Sequence, residues 1–197
     1  MSRGLGDVYK RQEMSLLQYI LPIQNTNYVD GCGFLIDGYF ITPGHVIRDS
    51  ENPFIFLSKR KRYLTQPSFY EVNEQDASKY DLAVFSMPEV KSELKLYNGV
   101  IESGMKLKSI SFKTSTSGFD LIECDAFVEC YKQENYFGAL TNTHLKAGCS
   151  GGPAIIGNEV VGILTKGNNN GNNEPCNNML PINFCLFLSS KAIRRII

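Results

Sequence analysis

The sequence predicts an all-β fold made of two antiparallel six-stranded β-barrels, followed by a short C-terminal helix. Short runs of aromatic and β-branched residues recur along the 197 residues of the chain, and turn residues separate them. About six such runs precede Pro88, which is enough for one small barrel. A polar, mixed stretch over residues 88–103 separates them from a second set of runs. We therefore expect an N-terminal barrel over residues 14–90 and a C-terminal barrel over residues 91–197.

The predicted strands of the first barrel are bounded by turn signals. Asp37-Gly38 is typical of a tight hairpin, and the strand that follows it leads to His45. The expected strands span residues 17–23, 31–36, 39–42, 54–57, 68–72 and 82–85. Residues 1–13 are set aside as a leader that is either disordered or not native to the protein.

The second barrel is predicted to begin with an alternating strand near residue 106. A turn-rich loop is expected over residues 114–118, and a Gly- and Asn-rich loop follows Gly167. Ser189 or Ser190 is the expected cap of a terminal helix over residues 191–197. The expected strands span residues 106–112, 121–131, 136–141, 153–156, 160–165 and 180–187.

Charge and hydropathy restrict the possible functions. Lys plus Arg and Asp plus Glu each number 20, so no overall field favours a nucleic acid or an anionic membrane. The basic cluster over residues 59–62 is interpreted as the end of a solvated hairpin, with an RNA-binding patch as the alternative. The chain shows no signal peptide and no apolar run of about 18 residues, which predicts a cytoplasmic protein.

The six cysteines are predicted to be reduced thiols that are mostly buried. Cys124 and Cys130 are expected on one strand, roughly 20 Å apart, which is too far for a disulfide. A zinc site is the open alternative, although no C-x-x-C pair supports it. Reduced thiols indicate a reducing compartment.

The most informative motif is the segment G-C-S-G-G-P at residues 148–153, here called the nucleophile turn. Glycines permit the backbone angles of a tight turn, so Ser150 can expose its hydroxyl there. The turn can also direct the amides of Gly148 and Ser150 at one point, as in an oxyanion hole. A nucleophilic serine needs a base, and that base needs an acid to orient it.

Two further segments contain a candidate base and a candidate acid. His45 lies in F-I-T-P-G-H-V and Asp81 lies in Y-D-L-A-V-F, so the order along the chain is His, Asp, Ser with intervals of 36 and 69 residues. Together the three segments resemble those of the trypsin-like serine proteases, which have the chymotrypsin fold. The resemblance is to the HtrA-like and general bacterial trypsin-like branch, without a PDZ domain.

The resemblance implies a serine endopeptidase that hydrolyses peptide bonds through an acyl-enzyme. His45, Asp81 and Ser150 would form the catalytic triad, no metal or organic cofactor would be needed, and the partner would be a protein or peptide substrate. A preference for Lys or Arg is not expected, because His144 stands where trypsin has an acidic residue. The residues that would bind substrate are His144, Leu145, Thr165, Lys166 and Gly167.

Two alternatives remain open. Cys149 could be the nucleophile of a viral-type cysteine protease. The motif of those enzymes, G-x-C-G-G, has glycine two positions before the nucleophile and directly after it, and in this chain such glycines flank Ser150 and not Cys149. The chain could also be a binding module that keeps a protease fold without activity. Such modules usually lose a member of the triad, and all three are present here.

Overall fold

The computed structural model describes residues 15–25, 29–73, 76, 78–116, 118–129, 135–145, 148–167 and 183–197. After a 3₁₀ turn at Leu17–Tyr19, the N-terminal half forms one antiparallel sheet in the order β5-β4-β1-β2-β3-β7-β6. Within the described residues its two edges do not pair, so the sheet is a half-barrel. Its strands are β1 Ile20–Gln24, β2 Val29–Ile36, β3 Tyr39–Thr42, β4 Phe54–Leu57, β5 Arg60–Tyr63, β6 Phe69–Glu71 and β7 Leu82–Ser86.

The C-terminal half forms a closed barrel. Six strands follow one another in the order β12-β9-β10-β11-β14-β13, and the pairing of β12 with β13 closes the ring. A short seventh strand, β8, is added in parallel to β13. The strands are β8 Lys95–Leu96, β9 Lys106–Ser115, β10 Gly118–Val128, β11 Tyr136–Thr141, β12 Pro153–Ile156, β13 Glu159–Lys166 and β14 Asn183–Ser189.

Two short helices complete the described fold. Helix α1, Gly44–Asp49, follows β3, and helix α2, Ser190–Arg194, follows β14. The Ser189 hydroxyl accepts a hydrogen bond from the Ala192 amide at 3.2 Å, so Ser189 is the cap of the terminal helix, one of the two caps that the sequence predicted.

The all-β architecture with a C-terminal helix is confirmed, and the strand count of the first half differs from the prediction. The additional strand there is β5, whose residues are all exposed, so no apolar alternation marks it. It forms a hairpin with β4, as expected for the basic cluster. In the second half, β8 has only two residues and gives no periodic signal. Three predicted features lie outside the described residues: the leader at residues 1–13, residues 168–178 of the Gly- and Asn-rich loop, and residues 180–182 at the start of the last strand.

The predicted loop over residues 114–118 was wrong in its extent. Strands β9 and β10 continue to Ser115 and from Gly118, and they pair along their whole length. The polar T-S-T-S-G sequence shows no alternation of apolar and polar residues. The outer ends of a long hairpin can form without such alternation, because their side chains lie largely in solvent. Cross-strand packing of Phe112 against Phe119, with ring centroids 5.5 Å apart, supports this end.

One buried hydrophobic cluster joins the two halves. It contains Ile41 and Val84 from the N-terminal sheet and Ile110, Ile163 and Leu188 from the C-terminal barrel, all at most 3% exposed. Each half also has a separate cluster of its own. The shared cluster fixes how the ends of β3, β7 and the nucleophile turn face one another.

Candidate active site

His45 stands in the first turn of helix α1, directly after strand β3. Pro43 provides an extended residue before the helix, and it has no N–H to donate to a neighbouring strand, so β3 ends at Thr42. The Thr42 hydroxyl donates to the Cys32 carbonyl at 2.9 Å, which anchors this end of β3 to β2. A Cβ on Gly44 would lie 2.2 Å from the Glu71 carbonyl, so only glycine lets α1 approach β6 this closely. These local constraints fix the position of His45.

The Asp81 carboxylate holds His45 with both oxygens. The His45 amide donates to Oδ1 at 2.8 Å, and the ring nitrogen Nδ1 donates to Oδ2 at 2.6 Å. A carboxylate can only accept, so this contact places the ring proton on Nδ1 and leaves Nε2 as an acceptor. Asp81 is 3% exposed, and the His45 side chain is 16% exposed. This pairing is the orientation that a histidine general base needs.

A second carboxylate, Asp49, lies near His45 at the end of α1. The Arg48 guanidinium bonds it at 2.6 and 2.8 Å and holds the pKa of Asp49 below its ordinary value. The charge of His45 acts in the same direction. Asp49 is therefore ionised at neutral pH and adds to the negative field around the imidazole.

The nucleophile turn is docked on the N-terminal sheet by its backbone. The Cys32 amide of β2 donates to the Ser150 carbonyl at 2.8 Å. Gly151 has a φ of +92°, and a Cβ there would lie 1.7 Å from the Cys32 carbonyl. The Gly151 amide donates to the Leu164 carbonyl at 2.7 Å, which ties the turn to β13 as well. Glycine is required at 151 by both its backbone angle and this close approach.

The same docking brings Ser150 to the segment that carries His45. A Cβ on Gly31 would lie 2.8 Å from the Ser150 carbonyl and 2.9 Å from the Val46 side chain. Ser150 and Val46, the residue after His45, therefore both pack against Gly31. A Cβ on Gly151 would also lie 3.0 Å from the Pro43 ring. The structure thus brings the segments of His45 and Ser150 together near the start of β2, and Asp81 contacts His45 directly.

The two amides of the predicted oxyanion hole have no protein acceptor within the described residues. Gly148 has a φ of +91°, and Gly148 and Ser150 are both half-buried. The hydrogen bonds of the turn use the amides of Gly151 and Gly152. Unused amides at a partly accessible turn can bind a developing negative charge.

Two of the predicted substrate-binding residues, Leu145 and Gly167, are in direct contact. A Cβ on Gly167 would lie 2.5 Å from the Leu145 carbonyl, so the chain segments before the nucleophile turn and after β13 run side by side. Leu145 is 2% exposed, and Lys166 is exposed.

Two more of the five predicted substrate-binding residues, Thr165 and His144, are held by strand β14. The Thr165 hydroxyl donates to the Leu186 carbonyl at 3.1 Å. His144 is exposed, and its Nδ1 lies 3.0 Å from Oδ1 of Asn183, so its ring is tethered to the start of β14. The imidazole therefore has a fixed place beside the two contacting segments.

The four described cysteines are buried, as the sequence predicted, and no disulfide joins them to one another. Cys149 is 0% exposed and packs in the core cluster of the C-terminal barrel, together with Cys124 and Cys185. Burial raises the pKa of Cys32 and of Cys124 to about 12, so these thiols stay protonated. Cys130 and Cys176 lie outside the described residues. Within the described part of the chain, no three His, Cys, Asp or Glu side chains are grouped as metal ligands.

Sequence reasoning missed one residue at this site, Tyr136. Its hydroxyl accepts a hydrogen bond from the Asp81 amide at 3.0 Å. The two residues are 55 positions apart and belong to different halves, so no local pattern could have indicated the contact. The only signal was its place at the start of a predicted strand.

Neither a protein-family model nor a curated protein sequence matches the chain. Solved structures do resemble it in fold. The Rv3671c protease from M. tuberculosis, in its active form, has a TM-score of 0.63 at 16% identity, with 99% of this chain and 86% of that chain covered. The HtrA-type protease AlgW with a decapeptide has a TM-score of 0.66 at 13% identity, with 95% and 66% covered.

These likenesses confirm that the chain has the chymotrypsin fold of trypsin-like and HtrA-type proteases. A scabies mite inactivated protease paralogue is also similar, with a TM-score of 0.61 at 13% identity and 90% and 89% of the chains covered. The fold therefore accompanies both active and inactivated proteins, and activity has to be argued from the residues of the site. No helix among the described residues is long and apolar enough to cross a membrane.

Proposed function

We propose that this protein is a serine endopeptidase that cleaves peptide bonds through an acyl-enzyme. The observation that carries the proposal is the contact of Asp81 with His45 beside the docked turn of Ser150. The N-terminal half, residues 14–90, would supply the base and the acid, and residues 91–197 would supply the nucleophile.

In the first half of the reaction, the Ser150 oxygen forms a bond to the scissile carbonyl carbon. Its proton passes to Nε2 of His45, and the Asp81 carboxylate stabilises the imidazolium that results. The amides of Gly148 and Ser150 would hold the oxyanion, and losing one such donor typically costs about 3 kcal/mol. His45 then gives its proton to the amine as the carbon–nitrogen bond breaks.

In the second half, water attacks the acyl carbon and gives a proton to His45. The bond to the Ser150 oxygen breaks, the serine recovers its proton from His45, and the carboxylic acid product leaves. This sequence returns every group to its starting state. It draws only on side chains and amides of this chain and on water.

The substrate would lie along the contacting segments at Leu145 and Gly167. We infer that His144, Leu145, Thr165, Lys166 and Gly167 line the pocket for the residue before the scissile bond. At position 144 this wall carries an imidazole tethered to Asn183 in place of a carboxylate, so this position does not attract a cationic side chain as an acidic residue would. Cleavage of a peptide library should show no preference for Lys or Arg at this position, and a strong preference for either would contradict the assignment.

Labelling with a fluorophosphonate tests the proposed nucleophile. We expect a stoichiometric adduct on Ser150 of the wild-type protein, located by mass spectrometry of the labelled peptide. Ser150→Ala should lose both labelling and cleavage, because it removes only the hydroxyl of a half-buried turn residue. A folded wild-type protein that takes no label would support a binding module without activity.

The matched control is Cys149→Ala at the neighbouring position. The Cys149 side chain is fully buried in the barrel core, which favours a packing role for it over that of a nucleophile. Cys149→Ala should keep labelling and cleavage near wild-type rates, with a modest loss of stability. Complete loss of activity in folded Cys149→Ala, with Ser150→Ala still active, would support the cysteine mechanism instead.

A further inference from the structure

A tyrosine from the C-terminal barrel holds the backbone of Asp81. The Asp81 amide donates to the Tyr136 hydroxyl at 3.0 Å, and that hydroxyl donates to the Lys79 carbonyl at 3.1 Å. Tyr136 is 5% exposed and Asp81 is 3% exposed, so water does not readily replace either partner. One phenol thus joins two backbone groups of the segment that leads into Asp81.

The residue before Tyr136 grips the same segment. The Asn135 side-chain amide donates to the Ser78 carbonyl at 3.0 Å, and the Asn135 carbonyl accepts from the Ser189 amide at 2.8 Å. The start of β11 is therefore anchored to β14 of its own barrel while it binds residues 78–81 of the other half. This arrangement gives the segment before Asp81 a rigid support.

The two hydrogen bonds of the Tyr136 hydroxyl require it to keep its proton. Burial raises the pKa of Tyr136 to about 12, so the phenol keeps its proton at neutral pH and serves as both donor and acceptor. Phenylalanine would fill the same space in the shared cluster, because the ring packs there in either case. It would leave the Asp81 amide and the Lys79 carbonyl without this partner.

We infer that Tyr136 is a positioning residue of the proposed active site, whose hydroxyl fixes the Asp81 carboxylate against His45 across the two halves of the fold. The inference rests on the proposed function. The Asp81 carboxylate makes contacts of 2.8 and 2.6 Å to the amide and ring of one residue, so a small displacement of its backbone weakens both. Misplacement of a catalytic group by about 1 Å can cost about a hundredfold in rate.

The first test is the variant Tyr136→Phe, compared with Tyr97→Phe as a matched control. Tyr97 also uses its hydroxyl for one backbone contact, to the Val100 carbonyl at 3.3 Å, outside the triad. Tyr136→Phe should lower kcat on a peptide by about tenfold to a hundredfold with KM little changed, because the triad is disturbed and the pocket is not. Tyr97→Phe should keep wild-type kinetics. Equal kinetics of all three proteins would overturn the inference.

A double-mutant cycle separates positioning from a general loss of structure. If Tyr136 acts through Asp81, then Tyr136→Phe should cause no further loss of kcat in an Asp81→Asn background. Losses that multiply in the double variant would mean that Tyr136 affects activity by another route, and the inference would fail. Thermal melting of each variant verifies that the kinetic comparison is made on folded protein.

A second readout does not depend on activity. The chain has two histidines, so NMR follows the imidazole of His45 directly, with His144→Gln used to assign the signals. In Tyr136→Phe the weaker carboxylate contact should move the downfield resonance of the His45 Nδ1 proton to higher field, because its hydrogen bond to Oδ2 of Asp81 lengthens.

The two readouts distinguish the failure of this inference from that of the proposed function. If the wild-type protein takes no fluorophosphonate label but Tyr136→Phe still shifts the His45 Nδ1 proton resonance, the proposed function fails and the positioning contact stands. If the wild type is labelled and active, and Tyr136→Phe changes neither the rate nor this resonance, the function stands and the positioning role is overturned. An unchanged resonance also overturns the positioning role when the wild type is inactive.

Discussion

At the scale of single residues, the Asp81 carboxylate fixes His45 through two hydrogen bonds. Both carboxylate oxygens are used, one on the backbone and one on the ring of the same residue. The pair is nearly enclosed, so water competes little for these bonds and the ring has one preferred orientation. A histidine held in this way is suited to take a proton at Nε2.

Asp81→Asn should lower kcat/KM by about ten-thousandfold if the proposed mechanism holds. The amide keeps the shape of the carboxylate, but it no longer enforces the tautomer with the proton on Nδ1 and cannot stabilise the imidazolium. Steady-state cleavage of a peptide measures the loss.

The matched control for Asp81→Asn is Asp76→Asn, because Asp76 is an exposed acid five residues earlier. Its carboxylate bonds the amide and hydroxyl of Ser78, a local turn contact outside the triad. Asp76→Asn should keep wild-type activity. If Asp81→Asn loses less than tenfold in activity while Asp76→Asn loses much more, then Asp76 and not Asp81 is the acid of the triad.

At the scale of elements, the nucleophile turn depends on its docking against β2. The turn has little regular structure of its own, and its backbone is fixed by bonds to Cys32 and Leu164 on two different strands. Gly151 makes this possible, because it combines a positive φ with a contact that no side chain could enter. The geometry at Ser150 therefore depends on two strands that are far apart in sequence.

Gly151→Ala should abolish detectable cleavage and lower the melting temperature. Its Cβ would be forced to within 1.7 Å of the Cys32 carbonyl, so the turn must leave β2 or distort. The control is Gly157→Ala in the β12–β13 hairpin, where φ is +60° and a Cβ meets nothing within 4 Å. That variant should lose only about 1 kcal/mol from its backbone angle and keep activity. Comparable activity of the two alanine variants would refute the role given to the docking.

At the scale of the whole molecule, the two halves share a hydrophobic cluster and should unfold together. The cluster buries side chains from both sheets, so separating the halves would expose them to water. The candidate active site lies where the halves meet, which makes its geometry depend on the integrity of this cluster. Two-state unfolding of the described fold is the expected behaviour.

Ile163→Ala should destabilise the whole protein by roughly 2–5 kcal/mol, because it opens a cavity at a residue with no exposed surface. Ile156→Ala is the control, since that residue is 41% exposed on the neighbouring strand, and it should change stability by less than about 0.5 kcal/mol. Urea denaturation followed by far-UV circular dichroism and by tyrosine fluorescence should give one coincident transition. Two separate transitions would show that the halves fold independently.

The sequence alone determined the all-β fold class, the turn at residues 148–153 and the candidate residues His45, Asp81 and Ser150. These features are local: hairpin glycines, alternating strands and short motifs whose residue types are limited by backbone angle or by chemistry. Strand β11 was predicted with its observed bounds, because the apolar segment Tyr136–Thr141 carries its own signal. The sequence also indicated that the cysteines are mostly buried, and the four described ones are.

Only the tertiary structure decided how distant parts of the chain meet. Strand β5 is polar and β8 is two residues long, so neither has an apolar periodicity that would predict it. Each is stabilised by pairing with a neighbouring strand. Among the described residues, β5 and β6 form the two edges of the N-terminal sheet and do not pair, so this sheet stays open. The bond from Tyr136 to Asp81 and the approach of Gly151 to Cys32 join positions 55 and 119 residues apart. Contacts of this kind depend on the packing of whole sheets, and no local stretch of sequence encodes that packing.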